Sequence, residues 1–195
     1  SPLPLLLRIG LAHAQFETIH PFLDGNGRIG RLLITFLLCE KQVLLKPVLY
    51  LSYYFRRHRQ RYYEHLQAVR DEGAWEAWLV FFLTGVVEVS QQATETARRI
   101  LSLRERHRQI ITGMFGRAAA NGHRVLEHLY QHPIISVTEA QDLTQTSYPA
   151  ANNLVGQFVK HGVLSEMTGQ KRNRRFIYRH YIDLFHEAGD GVTAP

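Results

Sequence analysis

Apolar residues recur along the first part of the chain at helical spacing. Leu5, Ile9, Ala12, Phe16 and Ile19 predict an amphipathic helix. His13 and Glu17 read as polar residues flanking that core face; their spacing of four also suits a metal pair, but no third ligand is evident. After a glycine-containing stretch the apolar pattern resumes in Leu32–Cys39, inside a helix predicted from Arg28 to about Lys41, and Pro47 then breaks the pattern. A further helix is expected from Ser52, whose side chain can cap it, to about Val69. Trp75 to about Gln92 reads as a buried helix, continued from Ala93 to Phe115 by an arginine-rich run with sparse apolar positions at Ile100, Leu103, Ile110, Ile111 and Met114. Its most apolar part, Trp78 to Val89, is interrupted by Thr84, Gly85 and Glu88. It falls short of the roughly 20 residues that span a bilayer, so no membrane partner is expected.

The pattern changes past Gly116–Gly122, where a boundary is expected between a first domain, 1–117, and a second, 118–195. Val125, Leu126 and Leu129 mark a helix stopped by His132-Pro133, and Ser136-Val137-Thr138-Glu139 is a capping box that opens a short helix through Leu143. Pro149 sits in the first turn of a third helix, whose buried stripe is Ala151, Leu154, Val155, Phe158 and Val159 and which Gly162 ends. Val163–Met167 and Arg175–Tyr178 then read as two strands around a loop. Three helices followed by a hairpin is the order of a winged helix-turn-helix. The expected fold is therefore mainly α: a helical bundle followed by a small α+β winged helix-turn-helix domain.

Composition narrows the class. The 195 residues are 45% hydrophobic and 21% charged, as in an ordinary globular protein. A lone cysteine, Cys39, excludes an intramolecular disulfide and fits a reducing, cytoplasmic setting. The net charge of +6 mildly favours acidic partners such as ATP or nucleic acid. Arg56-Arg57-His58-Arg59-Gln60-Arg61-Tyr62-Tyr63 mixes basic and aromatic residues, but helical spacing spreads its arginines around the cylinder, as on a solvated face. In the second domain, Asn152 on the third helix and Lys171, Arg172, Arg174 and Arg175 in the loop are candidate nucleic-acid contacts. Yet from Ala118 to Phe185 seven Lys/Arg stand against five Asp/Glu, a small excess for a dedicated DNA binder.

The strongest chemistry lies between the first two helices, in His20-Pro21-Phe22-Leu23-Asp24-Gly25-Asn26-Gly27-Arg28-Ile29-Gly30-Arg31. Gly25, Asn26 and Gly27 tolerate backbone angles that other residues resist, so they can aim successive N–H groups at one anion. The helix start that follows adds its own unpaired N–H groups and positive dipole end. Arg28 and Arg31, three apart, project from one helix face toward a polyphosphate. Asp24 is placed to hold Mg²⁺ against phosphate oxygens. His20 is the one group here whose ordinary pKa suits a base near neutrality.

These residues match the signature H-x-F-x-[D/E]-G-N-G-R-x-x-R, and the chain resembles the Fic family. The resemblance implies a protein adenylyltransferase that moves AMP from ATP, the co-substrate, to a Tyr, Thr or Ser hydroxyl of a target protein. Carried over by position, His20 would take the hydroxyl proton and Asp24 would bind Mg²⁺. Gly25, Asn26 and Gly27 would hold the α-phosphate, Arg28 and Arg31 the outer phosphates, with Gly30 in the same nucleotide site. Phe22 would be a core anchor for the loop. Tyr63, chosen over Tyr62 because adjacent helical residues point about 100° apart, would border the adenine; both tyrosines as core or surface fillers is the alternative. Opening at Ser1-Pro2-Leu3, the sequence reads as a fragment of something longer, and neither the family's flap nor its regulatory glutamate can be located in it.

Several readings stay open. The motif fixes the phosphate end of a donor better than its base, so UMP, phosphate or phosphocholine transfer, and removal of AMP, share the pocket. Fic proteins often carry an appended module of the second kind, which serves in protein docking or homodimer formation. A different class is a DNA-binding transcriptional regulator whose Fic core is a nucleotide sensor or a relic.

Overall fold

Helix α1 (Leu5–Ile19) begins after Pro4 and ends where His20 turns left-handed, φ 51°. The computed structural model describes residues 3–44, 51–170 and 173–189. Gly25 takes φ 82° as N-cap and launches α2 (Asn26–Glu40). After Leu51, α3 (Leu51–Arg57) and α4 (Arg59–Glu72) are separated at His58. Gly73, at φ 68° with its N–H on Val69 C=O, closes α4 in the left-handed manner that glycine permits. The long helix α5 (Trp75–Met114) follows.

The chain divides into two compact units, Ser1–Thr94 and Glu95–Pro195. In the first, Ile9 and Ala14 of α1 pack with Ile34 and Leu38 of α2, Tyr54 and Phe55 of α3, Tyr62, Leu66 and Val69 of α4, and Trp78, Phe81, Phe82, Val86 and Val89 of α5. Trp78 is fully buried and its indole N–H donates to Gly10 C=O at 2.8 Å. Burial of each such large side chain contributes about 1.5–3 kcal/mol.

Several expectations for this unit need correction. The buried face of α1 is Ile9, Gly10, His13, Ala14 and Glu17, whereas Ile19 is exposed. His13 and Glu17 therefore do not flank the core; they are in it. Small residues explain the rotation. A Cβ on Gly10 would press on Phe82 and Leu79, and one on Gly30 would overlap the Glu17 carboxylate, so close helix crossings select the Gly10 and Glu17 side of α1. Ser52 lies within α3 rather than capping it, and the helix expected to run through to Val69 is broken at His58. Pro47 lies outside the described residues.

The second unit takes Leu103 and Ile111 from the later part of α5 into a separate core. A 3-10 turn, Gly116–Ala118, leads into α6 (Ala119–Leu129). Strand β1 (Ile134–Ser136) ends on the Ser136 capping box, which opens α7 (Val137–Thr144) with Glu139 N–H on Ser136 Oγ and Ser136 N–H on the Glu139 carboxylate. The two bonds hold the Glu139 carboxyl below its ordinary pKa. Ser147 caps α8 (Tyr148–Lys160), with Pro149 in its first turn. Then come β2 (Ser165–Glu166), β3 (Arg175–Ile177) and α9 (Arg179–Gly189). The sheet order is β1-β3-β2, all antiparallel, with Ile135 opposite Phe176 and Ser165 opposite Ile177.

Pattern reading missed β1 and α9. Three residues are too few to alternate visibly, and β1 exists because Ile135 is drawn against Phe176 and the α-helical core. The architecture is mainly helical with one small sheet, as expected. No helix among the described residues is long and apolar enough to cross a membrane.

Candidate functional site

The loop between α1 and α2 is built by three local devices. His20 sits at φ 51°, an uncommon angle for a residue with a side chain, and its N–H bonds Phe16 C=O at 3.0 Å. Its Nδ1 lies 3.4 Å from Glu17 C=O, an acceptor only, so that nitrogen carries a hydrogen and, in the neutral ring, the lone pair is on Nε2. Arg70 Nη2 donates to the same carbonyl at 3.4 Å, tying α4 to the end of α1.

Asn26 is the second device. It is 2% exposed, and its side chain clamps both backbone groups of Phe22: Oδ1 receives Phe22 N–H at 2.9 Å and Nδ2 donates to Phe22 C=O at 2.5 Å. The ring of Phe22 is 49% exposed and touches Phe16 with centroids 6.3 Å apart. Its backbone, held by Asn26, fixes the loop more than its side chain does, which corrects the core-anchor expectation.

The third is the start of α2. The N–H groups of Arg28 and Ile29 both bond Gly25 C=O at 3.0 Å. Those of Asn26 and Gly27, the first two residues of the helix, have no carbonyl a turn earlier within it to receive them. They lie at the positive end of the helix dipole.

The charged groups take distinct stations around this turn. The Asp24 side chain is nearly fully exposed; Oδ1 accepts Gly25 N–H at 2.6 Å, and Oδ2 lies 3.8 Å from Arg28 Nη2. Arg28 is also exposed and reaches back along the loop. Arg31 is half-buried and folds over the first turn, where a Cβ on Gly27 would come 3.1 Å from its Nη1. Gly30 does not face the turn. It is buried against Glu17 and Phe16, and its carbonyl receives His13 Nδ1 at 2.9 Å.

Three residues that the sequence reading did not place in the site lie beneath it. His13 is fully buried among Phe55, Tyr62 and Trp78, with ring centroids 5.7–6.0 Å away. Burial pulls its pKa down to about 4, with Arg31 adding to the effect and the Gly30 hydrogen bond opposing it. Tyr62, 3% exposed, meets His13 Nε2 at 2.9 Å, and burial pushes its phenol well up. Glu17 is 8% exposed, and its Oε1 makes no hydrogen bond. Burial raises its carboxyl pKa, while His20, Arg31 and Tyr62 act the other way. The signal was present in Gly10, His13 and Glu17 at helical spacing, but polar residues on a buried face break the apolar pattern. Tyr63, by contrast, is 55% exposed, with Arg59 over its ring at 5.7 Å.

In the second unit, Arg174 Nη2 donates to Asn152 Oδ1 at 2.6 Å and its guanidinium lies over the Phe176 ring at 5.4 Å. Two of the candidate nucleic-acid contacts are thus bonded to each other, and Arg175 is exposed. Lys171 and Arg172 lie outside the described residues. Among the described residues no group of three or more His, Cys, Asp or Glu side chains is arranged to hold a metal ion. An exposed carboxylate beside a turn of N–H donors suits Mg²⁺ arriving with phosphate oxygens, since that ion is usually held by one or two carboxylates plus phosphates and water.

Curated relatives align over the same region. A probable protein adenylyltransferase of Aquifex aeolicus is 42% identical over 62 residues, 32% of this chain and 17% of that protein. The protein adenylyltransferases Fic of Aedes aegypti and Culex quinquefasciatus are each 43% identical over 63 residues, 32% of this chain and 11% of theirs. The chain therefore spans less than a fifth of the length of the curated relatives it matches. A crystal structure of a Fic family protein from Desulfovibrio desulfuricans G20 aligns with TM-score 0.48 and 20% identity, over 91% of this chain and 50% of that one. The model of the Fic/DOC family matches residues 1–38, the stretch that holds α1, the loop and most of α2.

Proposed function

We propose that the protein is a protein adenylyltransferase, moving AMP from ATP to a Tyr, Thr or Ser hydroxyl of a target protein. The observation that supports this reading is the start of α2 at Gly25, its N-cap at φ 82°, with Arg31 folded over its first turn, directly after the loop that opens on His20. His20 Nε2 takes the proton of the incoming hydroxyl, whose oxygen attacks the α-phosphorus while the bond to the β-phosphate oxygen breaks and pyrophosphate leaves. The N–H groups of Asn26 and Gly27 receive the α-phosphate oxygens, and Arg28 and Arg31 balance the charge that grows on the leaving group. Asp24 holds Mg²⁺, which when bound neutralises phosphate charge. Gly25 gives the turn its left-handed angle, Gly30 lets α1 and α2 approach, and the exposed ring of Tyr63 is a stacking surface for the adenine.

Mass spectrometry tests the reading. Incubation with ATP should give a +AMP adduct on the protein or on a target in a proteome, absent with His20→Ala. No adduct in either case overturns it.

The β1-β3-β2 sheet and the α6–α8 order support a winged helix-turn-helix as the second module. One observation favours a DNA-binding role for it as a second reading: the exposed face of α8 carries Asn153 and Lys160, with open space above Gly156. Duplex DNA should then bind with a steep salt dependence that falls when Lys160 and Arg175 are neutralised. The Asn152–Arg174 bond argues against those two side chains as direct readers.

A further inference from the structure

The last turn of α1 leaves one carbonyl without a helical partner. A helix carbonyl is received by the N–H four residues on, and for Glu17 that residue is Pro21, which has none. The N–H of His20, one residue nearer, is given to Phe16 C=O at 3.0 Å, and that of Phe22, one residue beyond, to Asn26 Oδ1 at 2.9 Å. The lone pairs of the Glu17 oxygen are therefore left to side chains. Two donors reach it, His20 Nδ1 and Arg70 Nη2, each at 3.4 Å.

Arg70 comes from the last turn of α4, whose Tyr62, Leu66 and Val69 lie in the core of the first unit, so its backbone is held by packed helix. Its side chain is exposed and makes no ion pair among the described residues, where the Glu17 carbonyl is its one hydrogen-bond acceptor. That contact joins residues 53 apart in sequence and sets a cation at the C-terminal end of α1, the negative end of the helix dipole. An imidazole turns within a broad χ2 well, and which nitrogen carries the hydrogen is decided by what the other side of the ring meets. A carbonyl at a helix end, with no N–H to hold it, is free to tilt toward water. With Arg70 drawn onto the Glu17 oxygen, the carbonyl is kept where His20 Nδ1 can donate to it.

We propose that Arg70 is a positioning residue for His20: by holding the Glu17 carbonyl it fixes the ring with the hydrogen on Nδ1 and the Nε2 lone pair open to the substrate hydroxyl. This rests on His20 as the base in the reading above. The effect falls on proton uptake in the transfer step and leaves nucleotide affinity untouched.

Nitrogen NMR of the isotope-labelled full chain reads which nitrogen of His20 carries the hydrogen in the neutral ring. In the unaltered protein it should be Nδ1. In Arg70→Met, which keeps the apolar stem and removes the donors, the shifts of the two ring nitrogens should move toward each other as the second tautomer fills. AMP transfer from α-labelled ATP should slow by roughly three- to tenfold, the scale of one ordinary hydrogen bond, while calorimetry finds the Mg-ATP affinity unchanged. Arg70→Lys, which keeps a cationic donor, should recover most of both effects. A variant that is merely less folded loses transfer and Mg-ATP affinity by the same factor. Unchanged His20 nitrogen shifts in Arg70→Met, an unchanged transfer rate, a rate and an affinity that fall together, or an Arg70→Lys protein no better than Arg70→Met each overturn the proposal. If the unaltered protein transfers no AMP, the parent reading fails, and the nitrogen shifts still decide whether Arg70 sets the ring.

Discussion

Replacing Asn26 by alanine removes the clamp on the loop and leaves α1 and α2 otherwise intact. Two hydrogen bonds disappear, at 2.9 Å and 2.5 Å, from a side chain that is 2% exposed. At about 0.5–1.5 kcal/mol each, the gross loss is roughly 1–3 kcal/mol. Phe22 lies at the surface, so water can satisfy its freed N–H and C=O, and the lower part of that range, about 1–2 kcal/mol, is expected. For a unit of this size each kcal/mol moves the melting temperature by about 4–8 °C, so the transition of the first unit should fall by roughly 4–16 °C. Asn26→Asp is the sharper variant. A carboxylate still accepts Phe22 N–H but sets an anionic oxygen against Phe22 C=O, and the favourable helix dipole offsets only about 0.3–1 kcal/mol. It should therefore be no more stable than Asn26→Ala at neutral pH and should regain stability as the carboxyl protonates in acid. Differential scanning fluorimetry across pH gives both numbers. An Asn26→Ala protein that melts with the unaltered one would refute the clamp.

Two further perturbations test the core and the buried carboxylate. A Cβ on Gly85 would come 2.5 Å from the ring of Tyr54, which is 5% exposed and packed on Phe81, so Gly85→Ala should destabilise by about 1–2 kcal/mol despite its better helix propensity, whereas Gly156→Ala, facing open space, should stabilise by up to about 1 kcal/mol; urea midpoints of the same sign for both would contradict the packing. Glu17 has a raised folded-state pKa, so the unfolded chain ionises first and stability is lost as pH rises from about 4.5 through the folded value; Glu17→Gln should be the more stable protein at pH 7, by about 1.4 kcal/mol for each pH unit of that rise, and should converge with the unaltered one below about pH 4, while an equal gap at both pH values would contradict the burial argument.

Legibility in the sequence followed the range of the forces involved. The capping box at Ser136, the Pro149 start of α8 and the glycine turn of the motif are decided within a few residues, and each is where local chemistry puts it. The motif could be singled out because residue types at fixed spacing define it. The support beneath the motif could not. His13, Glu17 and Tyr62 belong to helices whose inward face is chosen by contacts between residues as far as 68 apart, and an apolar stripe at Leu5, Ile9 and Phe16 offered a plausible other face. Strand β1 exists through pairing with Ile177 and Phe176, far along the chain, which periodicity cannot report. Phe22 shows the converse, a residue whose value lies in its backbone rather than its ring.

The account stands on which phosphorus of ATP meets a hydroxyl beside His20. ATP labelled at the α-phosphorus and ATP labelled at the γ-phosphorus, each offered with Mg²⁺ to the full chain and a target extract, answer this directly. Label should reach protein from the α position alone and vanish with His20→Ala. Label arriving from the γ position, or α-label transfer that survives His20→Ala, would contradict the assignment.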